Sequence, residues 1–375
     1  MKVKDAVRAV ARGEDSPGGS AHAVLRATLR VASWMYGTAV ATRRVAYRAR
    51  LLATHRVPCP VVSVGNLTAG GTGKTPCVIC LARHLQERGW RPVILLRGYW
   101  RTGGTGLLVA STGQRLVIPA AEAGDEANLI AEALPGVPVI VAADRRRAAE
   151  VALGSLRADV IILDDGYQHL RLHRDLDILL LDARSPFGNG ALLPRGLLRE
   201  PPGATGRADL IILTRTDQAR DLDRAEEGIH RLNGRAPLLR AVHRPVSLVR
   251  LADGTVLPPT ALAGQDVVAL SAIGSPEAFE TTLRGLGASV RATFRFRDHH
   301  RYREEELERA GREGRAAGAT LLVTTAKDRG RGSLPAQAGG LPVAVLEVEF
   351  LVTQGAEVLE AALAGLRLES RGGRT

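Results

Sequence analysis

Cysteine is scarce in this sequence. Cys59, Cys77 and Cys80 are the whole supply, which excludes a disulfide framework and suits a reducing compartment. Cys77 and Cys80 form a C-x-x-C, but no second ligand pair accompanies it, so they read as small apolar residues rather than a metal or redox centre. Aromatic residues make up 3% of the chain and do not interleave with basic ones, which argues against an RNA-recognition surface. Lysine is nearly missing: Lys2, Lys4, Lys74 and Lys327 are its only occurrences, so arginine carries almost all of a formal net charge of +12. That charge suits an acidic partner such as nucleotide, nucleic acid or anionic lipid headgroups, and a chain-wide arginine bias accounts for it nearly as well. No internal repeat is evident. The longest charge-free run near the N-terminus, residues 31–42, falls short of the ~20 apolar residues that a membrane-spanning helix needs. No convincing small-residue cleavage site follows it, which speaks against a signal peptide.

What the chain does have is 45% hydrophobic content over 375 residues, enough for two domains with ordinary cores. Its organising stretch is Val61 to Cys80, VVSVGNLTAGGTGKTPCVIC. A β-branched run ends in a Gly-rich loop, and Gly70, Gly71, Thr72, Gly73, Lys74 and Thr75 then open a segment with Val78, Leu81, Ala82 and Leu85 at helical spacing. Such a loop lets backbone N–H groups curl around an anion at a helix N-terminus. Lys74 adds a mobile cation and Thr75 a hydroxyl for Mg²⁺, so the expected ligand is a nucleoside triphosphate. Thr68 stands where the general phosphate-loop pattern has its first glycine. In a chain that otherwise uses arginine, a lysine here is informative, because a planar guanidinium does not replace a compact ammonium between phosphates.

Around this stretch the pattern predicts an α/β fold of the P-loop NTPase type, a mostly parallel sheet with helices on both faces, plus a smaller α/β lobe. Residues 1–20 read as a mobile tail. Residues 21–55 read as a basic amphipathic helix, in which Val24, Leu25, Leu29, Trp34, Met35, Tyr36 and Val40 alternate with arginines. Two readings stay open for it: packing on the protein's own core, or lying in a membrane surface. Strand-like runs at 61–64, 92–96, 137–142, 160–163, 177–181 and 210–213, several of them continuously apolar as expected for parallel strands covered on both faces, mark a core domain at 56–234. Polar residues cluster where these runs stop, among them Asn66, Arg97, Asp144, Asp164, Asp165 and Asp182, and the carboxyl ends of such strands are where α/β sheets bind ligands. A second lobe is expected at 235–350, with strands near 267–272, 290–296, 320–325 and 343–348 and helices at 276–286 and 302–317. A C-terminal helix and tail occupy 351–375, and the active site is expected between the lobes.

Four further clusters carry chemistry: Gly124-Asp125-Glu126, Asp144-Arg145-Arg146-Arg147, Asp164 to His169 (DDGYQH), and Phe296 to His300 (FRDHH). Each alone reads as a solvated loop or cap. Together they make a phosphoryl-transfer set: carboxylates and a hydroxyl for a metal, cations for the moving charge, and a base for the attacking hydroxyl.

The segments VSVGNLTAGGTGKTP, LLRGYWR, AGDEANLIA, VIILDDGYQHLRLHRDLDILLLDA, FGNGALLPRGLLREP, FRDHHRY and TTAKD follow one another between about Val61 and Asp328. In this order they resemble the tetraacyldisaccharide 4'-kinase (lipid A 4'-kinase) family, in which Thr also replaces the first glycine of the phosphate loop. The resemblance implies ATP and Mg²⁺ as cosubstrates. It implies a disaccharide lipid 1-phosphate as acceptor, phosphorylation of its 4' hydroxyl to the lipid IVA precursor of lipopolysaccharide, and no nucleic-acid partner. It also implies peripheral attachment to the cytoplasmic face of the inner membrane, which tilts residues 21–55 towards an interfacial anchor. Carried over by position, Lys74 and Thr75 bind triphosphate and metal, Glu126, Asp164 and Asp165 are further metal ligands, and Asp125 is the base; the motif position favours His299 as its partner, and the sequence does not by itself exclude His300. Arg97, Arg145, Gln168 and His169 are candidates for substrate or phosphate contacts. Two positions depart from the family pattern: Ala127 replaces the proline of GDEP, and Trp100 replaces a glycine of RGYGR.

A rival reading is a nucleotide-switch ATPase of the partitioning or targeting type, which uses a similar loop. Those proteins usually carry an extra lysine at the start of the loop, where Ala69 stands here. A nucleic-acid-binding ATPase is a third reading, motivated only by the net charge.

Overall fold

Runs of apolar residues without alternation suit strands covered on both faces, and the chain builds such strands from them. The computed structural model describes residues 7, 9–11, 20–98, 106–114, 117, 120–332 and 334–366. Trp100 and the rest of its loop lie outside the described residues.

In chain order the principal elements are helix α1 (Ser20–Arg48), strand β1 (Val61–Asn66), α2 (Lys74–Glu87), β2 (Pro92–Leu96), β3 (Leu108–Thr112), α3 (Asp125–Ala133), β4 (Pro138–Val141) and α4 (Arg145–Gly154). There follow β5 (Val160–Asp164), β6 (Leu176–Asp182), β7 (Leu210–Thr214), α5 (Leu222–Leu232), β8 (Leu238–Arg250), β9 (Asp266–Ser271) and α6 (Pro276–Gly285). The chain finishes with β10 (Ser289–Arg295), α7 (Glu304–Ala316), β11 (Leu321–Thr325), the single turn α8 (Ala326–Arg329), β12 (Leu341–Gln354) and α9 (Ala356–Ala364).

Two compact units are assembled from interleaved segments. The first comprises residues 1–74, 159–242 and 352–375; the second comprises 75–158 and 243–351. In the first unit the strand order is β5-β1-β6-β7-β8, every pair parallel. Residues of β1, β5 and β7 are buried throughout. Because neighbouring strands run the same way, Asn66, Asp164, Asp182 and Thr214, the last residues of their strands, lie together along the carboxyl ends of this sheet. Leu67, Tyr167, Leu179, Leu198, Ile211 and Ile229 belong to the core on one of its faces.

The second unit contains two groups of strands. In one, β2 and β4 are parallel, and the edge strand β3, which the apolar pattern did not announce, pairs antiparallel with β4. In the other, β10-β9-β11-β12 are all parallel. Helices α6 and α7 bury Phe279 and Leu283, and Leu307 and Ala310, in two separate clusters of this unit. The cysteines are core residues of ordinary kind. Cys59 and Cys77 are buried and Cys80 is half-buried, and burial pushes the Cys59 thiol up to about 12.

Near the N-terminus, Val7 and residues 9–11 are helical, Val10 and Ala11 are buried, and the carbonyl of Val10 accepts from Asn189 Nδ2 at 3.2 Å. The expected mobile tail is therefore docked at these positions, where Val7, Val10 and Ala11 recur at helical spacing. Helix α1 is single and continuous. One face packs on the first unit through Leu29, through Ser33 Oγ donating to the Leu192 carbonyl at 2.5 Å, and through Tyr36 OH donating to the Arg199 carbonyl at 3.0 Å. Its other face leaves Val24, Val31, Trp34, Met35 and Val45 exposed. Among the described residues no helix is long and apolar enough to cross a membrane.

Candidate active site

The phosphate loop leaves β1 through Leu67 to Gly73 and enters α2 at Lys74, so Lys74 and Thr75 are the first two residues of that helix. Gly70 and Gly73 take φ of 133° and 88°, a region that L side chains avoid, and this allows the loop its tight curl. Asn66 Nδ2 donates to Thr72 Oγ1 at 2.9 Å, tying the loop back to the strand it leaves. Cys77, Val78, Leu81, Ala82 and Leu85 form the buried face of α2, as their spacing predicts.

Within the first unit, Lys74 Nζ lies 3.5 Å from Asp165 Oδ1. Asp165 also receives both contacts of Arg199 Nη1, at 2.7 and 2.8 Å, and takes φ 55°. A left-handed aspartate held by two cations marks a backbone constraint of the kind found at working sites. Asp164 closes β5 and is buried. The turn after it sits hard against β1: a Cβ on Gly166 would meet Ser63 Oγ at 2.6 Å, and one on Gly65 would meet Tyr167 Cβ at 2.5 Å. Only glycine permits this approach. Gln168 Nε2 donates to the Asn66 carbonyl at 3.0 Å and to Glu200 Oε1 at 3.1 Å, and His169 is half-buried on the same turn.

Arg199 and Glu200, from the LLREP segment, received no role from sequence reasoning, yet both organise this region. The buried Glu200 accepts from Arg207 at 2.6 and 2.7 Å, and the Arg207 guanidinium lies 3.9 Å over the Tyr167 ring. Helix α1 reaches the same group, with Arg43 Nη1 donating to the Gln168 carbonyl at 3.1 Å and Arg44 lying 3.7 Å from Glu200. Asp182, by contrast, is committed to a local ion cluster with Arg184 at 2.7 Å and Arg215 at 2.6 Å.

Within the second unit, Asp125 and Glu126 form the first turn of α3 behind Gly124, which takes φ 89°. At that helix end the dipole favours ionised carboxylates. His299 Nδ1 stands 3.2 Å from Asp125 Oδ2, and His299 itself takes φ 65°. His300 faces elsewhere. Its Nε2 is 2.7 Å from Glu306 Oε2 and its ring stacks on Phe296 at 4.8 Å, which makes it part of the packing that holds the FRDHH loop. Arg331 Nε donates to Asp125 Oδ2 at 2.8 Å. Burial alone would raise the Asp125 carboxyl, but the His299 hydrogen bond and the Arg331 charge outweigh it and hold the group below the usual carboxylate range. Lys327 Nζ lies 3.2 Å from Asp298 Oδ1 and 3.9 Å from Glu126 Oε1. Ala127, where the family pattern has proline, is buried in the first turn of α3, a place that accommodates either residue because its N–H has no partner within the helix. Arg97 is exposed after the end of β2, whereas Arg145 is 1% exposed at the start of α4.

Arg331 was not identifiable from sequence. It lies beyond the TTAKD segment in a chain full of arginine, and only the fold shows that it reaches Asp125. Lys327 carries one sequence signal, its rarity as one of four lysines in a chain that otherwise uses arginine.

A sequence model of the family described as tetraacyldisaccharide-1-P 4'-kinase matches residues 25–366. The chain is 44% identical over 326 residues to the tetraacyldisaccharide 4'-kinase of Geobacter metallireducens, covering 87% of this chain and 94% of that one. To the enzyme of the same name from Anaeromyxobacter dehalogenans it is 43% identical over 349 residues, 92% of either chain. Among solved structures it is similar to LpxK from Aquifex aeolicus in complex with ATP, with a TM-score of 0.69 and 32% identity over 91% of this chain and 98% of that one. A match this long, at this identity and through one continuous order of motifs, places the chain in the tetraacyldisaccharide 4'-kinase family.

Proposed function

We propose that this protein transfers the γ-phosphoryl group of ATP to the 4' hydroxyl of tetraacyldisaccharide 1-phosphate, giving lipid IVA in lipid A biosynthesis. The observation that carries the chemistry is the hydrogen-bonded pair of Asp125 and His299 in a chain of this family whose phosphate loop delivers Lys74 to a helix N-terminus. Phosphoryl transfer asks little covalent chemistry of a protein. It needs the phosphates cradled, the negative charge met by cations, and the attacking hydroxyl relieved of its proton.

Each need has a residue. Gly70, Gly71, Thr72 and Gly73 offer backbone N–H groups to the triphosphate, and Lys74 offers its ammonium. Asp125 accepts the proton of the sugar hydroxyl, and His299 orients it. Aspartate is a weak base at neutral pH, and one held below its ordinary range is weaker still. A loose transition state asks for late proton transfer, so orientation and permanent ionisation matter more than basicity. Thr75, Glu126, Asp164 and Asp165 are hard oxygen donors of the kind Mg²⁺ takes, and a few suffice for an ion that keeps waters and phosphate oxygens as its other ligands. When bound, that ion neutralises charge on the phosphates. The half-buried His169 of the first unit and the exposed Arg97 of the second are the candidates for substrate or phosphate contacts; Gln168 donates instead to the Asn66 carbonyl and Glu200, and Arg145 is 1% exposed, so neither of these two side chains is presented to a substrate.

An enzyme whose acceptor is a lipid must meet a bilayer. We assign that role to α1: its exposed Val24, Val31, Trp34, Met35 and Val45 are joined by Leu51 and Leu52 beyond its end. A groove of about 700 Å³ runs along the helix between Trp34, Met35, Thr38, Arg43 and Leu51. Arginines 26, 30, 43 and 48 suit anionic headgroups at the cytoplasmic face of the inner membrane. The deciding assay supplies γ-labelled ATP and purified tetraacyldisaccharide 1-phosphate. Label moves to the lipid if the proposal holds; label appearing only as inorganic phosphate would favour a nucleotide-switch ATPase and reject it.

A further inference from the structure

Arg331 is 7% exposed and spends its whole guanidinium inside the second unit. Its Nε donates to Asp125 Oδ2 at 2.8 Å; Nη1 donates to Asp328 Oδ1 at 2.6 Å and to the Ala272 carbonyl at 2.5 Å; Nη2 donates to Asp298 Oδ1 at 3.2 Å. One side chain thus joins the start of α3, the end of β9, the loop carrying His299 and the turn α8. Its own anchor is built with the same care. Asp328 accepts from Thr325 Oγ1 at 2.7 Å, from Thr324 Oγ1 at 3.3 Å and from the Ala272 N–H at 3.2 Å, so both threonines of TTAKD serve to fix the carboxylate that fixes Arg331.

The arrangement at Asp125 is directional. His299 and Arg331 both engage Oδ2, and neither takes Oδ1. A carboxylate gripped on one oxygen by two donors from different segments cannot rotate about its terminal torsion without breaking both bonds. We propose that Arg331 is a positioning residue for phosphoryl transfer, clamping the Asp125 carboxylate so that Oδ1 is presented to the acceptor hydroxyl. This rests on the assignment of Asp125 as the base. The fork matters as much as the charge: a guanidinium meets three carboxylates and a carbonyl at fixed angles, which a lysine ammonium on a flexible stem cannot reproduce. Asp298 and Lys327 complete the surroundings, with Asp298 shared between Lys327 and Arg331.

The test is a double-mutant cycle read by transfer of label from ATP to tetraacyldisaccharide 1-phosphate, using wild type, Arg331→Lys, Asp125→Ala and the double variant. Arg331→Lys keeps the buried cation and should lower kcat by about 10²-fold, the scale of a misplaced reacting group, with KM for both substrates unchanged. In the Asp125→Ala background the same substitution should cost little further turnover, because the group it positions is gone. An equal fold-loss in both backgrounds, or a wild-type kcat in Arg331→Lys, would overturn the clamp while leaving Asp125 as the base. Near wild-type turnover in Asp125→Ala alone would instead remove the base assignment, and the clamp with it. Should Arg331→Lys not fold, Thr325→Val, which removes a hydrogen bond to the Asp328 carboxylate that anchors Arg331, is judged by the same cycle: a kcat loss that disappears without Asp125 supports the clamp, and one that persists opposes it.

Discussion

At the scale of single residues, the sharpest expectation concerns Lys74. Its ammonium is held near Asp165 at 3.5 Å, on the first residue of α2, where no guanidinium fork is needed and a point charge is. Lys74→Ala should abolish label transfer while circular dichroism and melting stay close to wild type, and full activity in that variant would remove the phosphate-loop reading. Asp125→Ala should cost ~10²- to 10⁴-fold in kcat, the usual worth of general-base help. Combining it with His299→Ala should add little, since the two are in contact and act as a unit; fully additive losses would mean independent roles. The same contact sets a pH dependence. His299 and Arg331 favour the ionised form of Asp125, so His299→Ala lets the carboxyl bind a proton more readily. The acid limb of the kcat/KM profile should therefore move to higher pH in His299→Ala, and an unmoved limb would show that the histidine does not tune this carboxylate.

At the scale of elements, legibility followed burial pattern. Strands β2, β5 and β7 are apolar almost throughout, and β1 and β6 are apolar but for Ser63, Asn66, Asp177 and Asp182, so all five stand out; β3 is a short edge strand with intermediate and exposed positions, and resembles loop. The site was legible wherever a motif carried its own local geometry, as in the phosphate loop and GDE. It was not legible where a residue acts across the fold, as Arg331, Arg199 and Glu200 do, because contacts 206, 34 and 32 residues apart leave no local trace. Helix α7 illustrates an intermediate case. Its three leading glutamates signal a helix start, but the structure shows that Glu306 is the one that matters, accepting the Arg303 N–H at 3.0 Å and meeting His300 at 2.7 Å. Burial opposes its ionised form more than any one partner favours it, but the Arg303 side chain and backbone together with His300 outweigh it, taking the group from 4.5 to about 2. A depressed carboxyl contributes stability that is complete above its unfolded value and is lost as pH falls towards the folded one. Acid titration of the melting temperature should therefore show the gap between wild type and Glu306→Gln closing between about 4.5 and about 2; a gap independent of pH would mean that the side chain only packs. For α1, point substitutions are cleaner than deletion, since deletion also strips Leu29, Ser33 and Tyr36 from the first unit. Trp34→Glu with Met35→Glu touches only the exposed face, and losing insertion of even one such side chain at about 1.5–3 kcal/mol should weaken vesicle binding tenfold or more. Unchanged vesicle flotation would end the anchor assignment.

At the scale of the whole chain, the two ends of the sequence serve the same unit. Residues 352–375 belong with 1–74 and 159–242, although β12 begins in the other unit and crosses into this one. The C-terminal segment is held by more than its covalent link. Thr353 Oγ1 donates to the Arg240 carbonyl at 3.3 Å, Gly355 sits so close to Leu239 that a Cβ would meet its Cγ at 2.8 Å, and Leu359, Leu363 and Leu366 are all buried. Truncation after Leu351 would therefore remove three buried leucines and uncover whatever they cover. At about 1.5–3 kcal/mol for each buried leucine, the loss is of the order of the whole stability of a typical domain. None of the residues assigned to phosphate, metal or base lies in the deleted segment, so a peripheral tail would leave both stability and label transfer intact. If α9 is instead the closing element of the first unit, the truncated protein should be insoluble or melt more than ~10 °C lower, the shift expected for several kcal/mol in a unit of this size. Residual label transfer at low temperature, lost in step with unfolding on warming, would separate loss of the fold from loss of the chemistry.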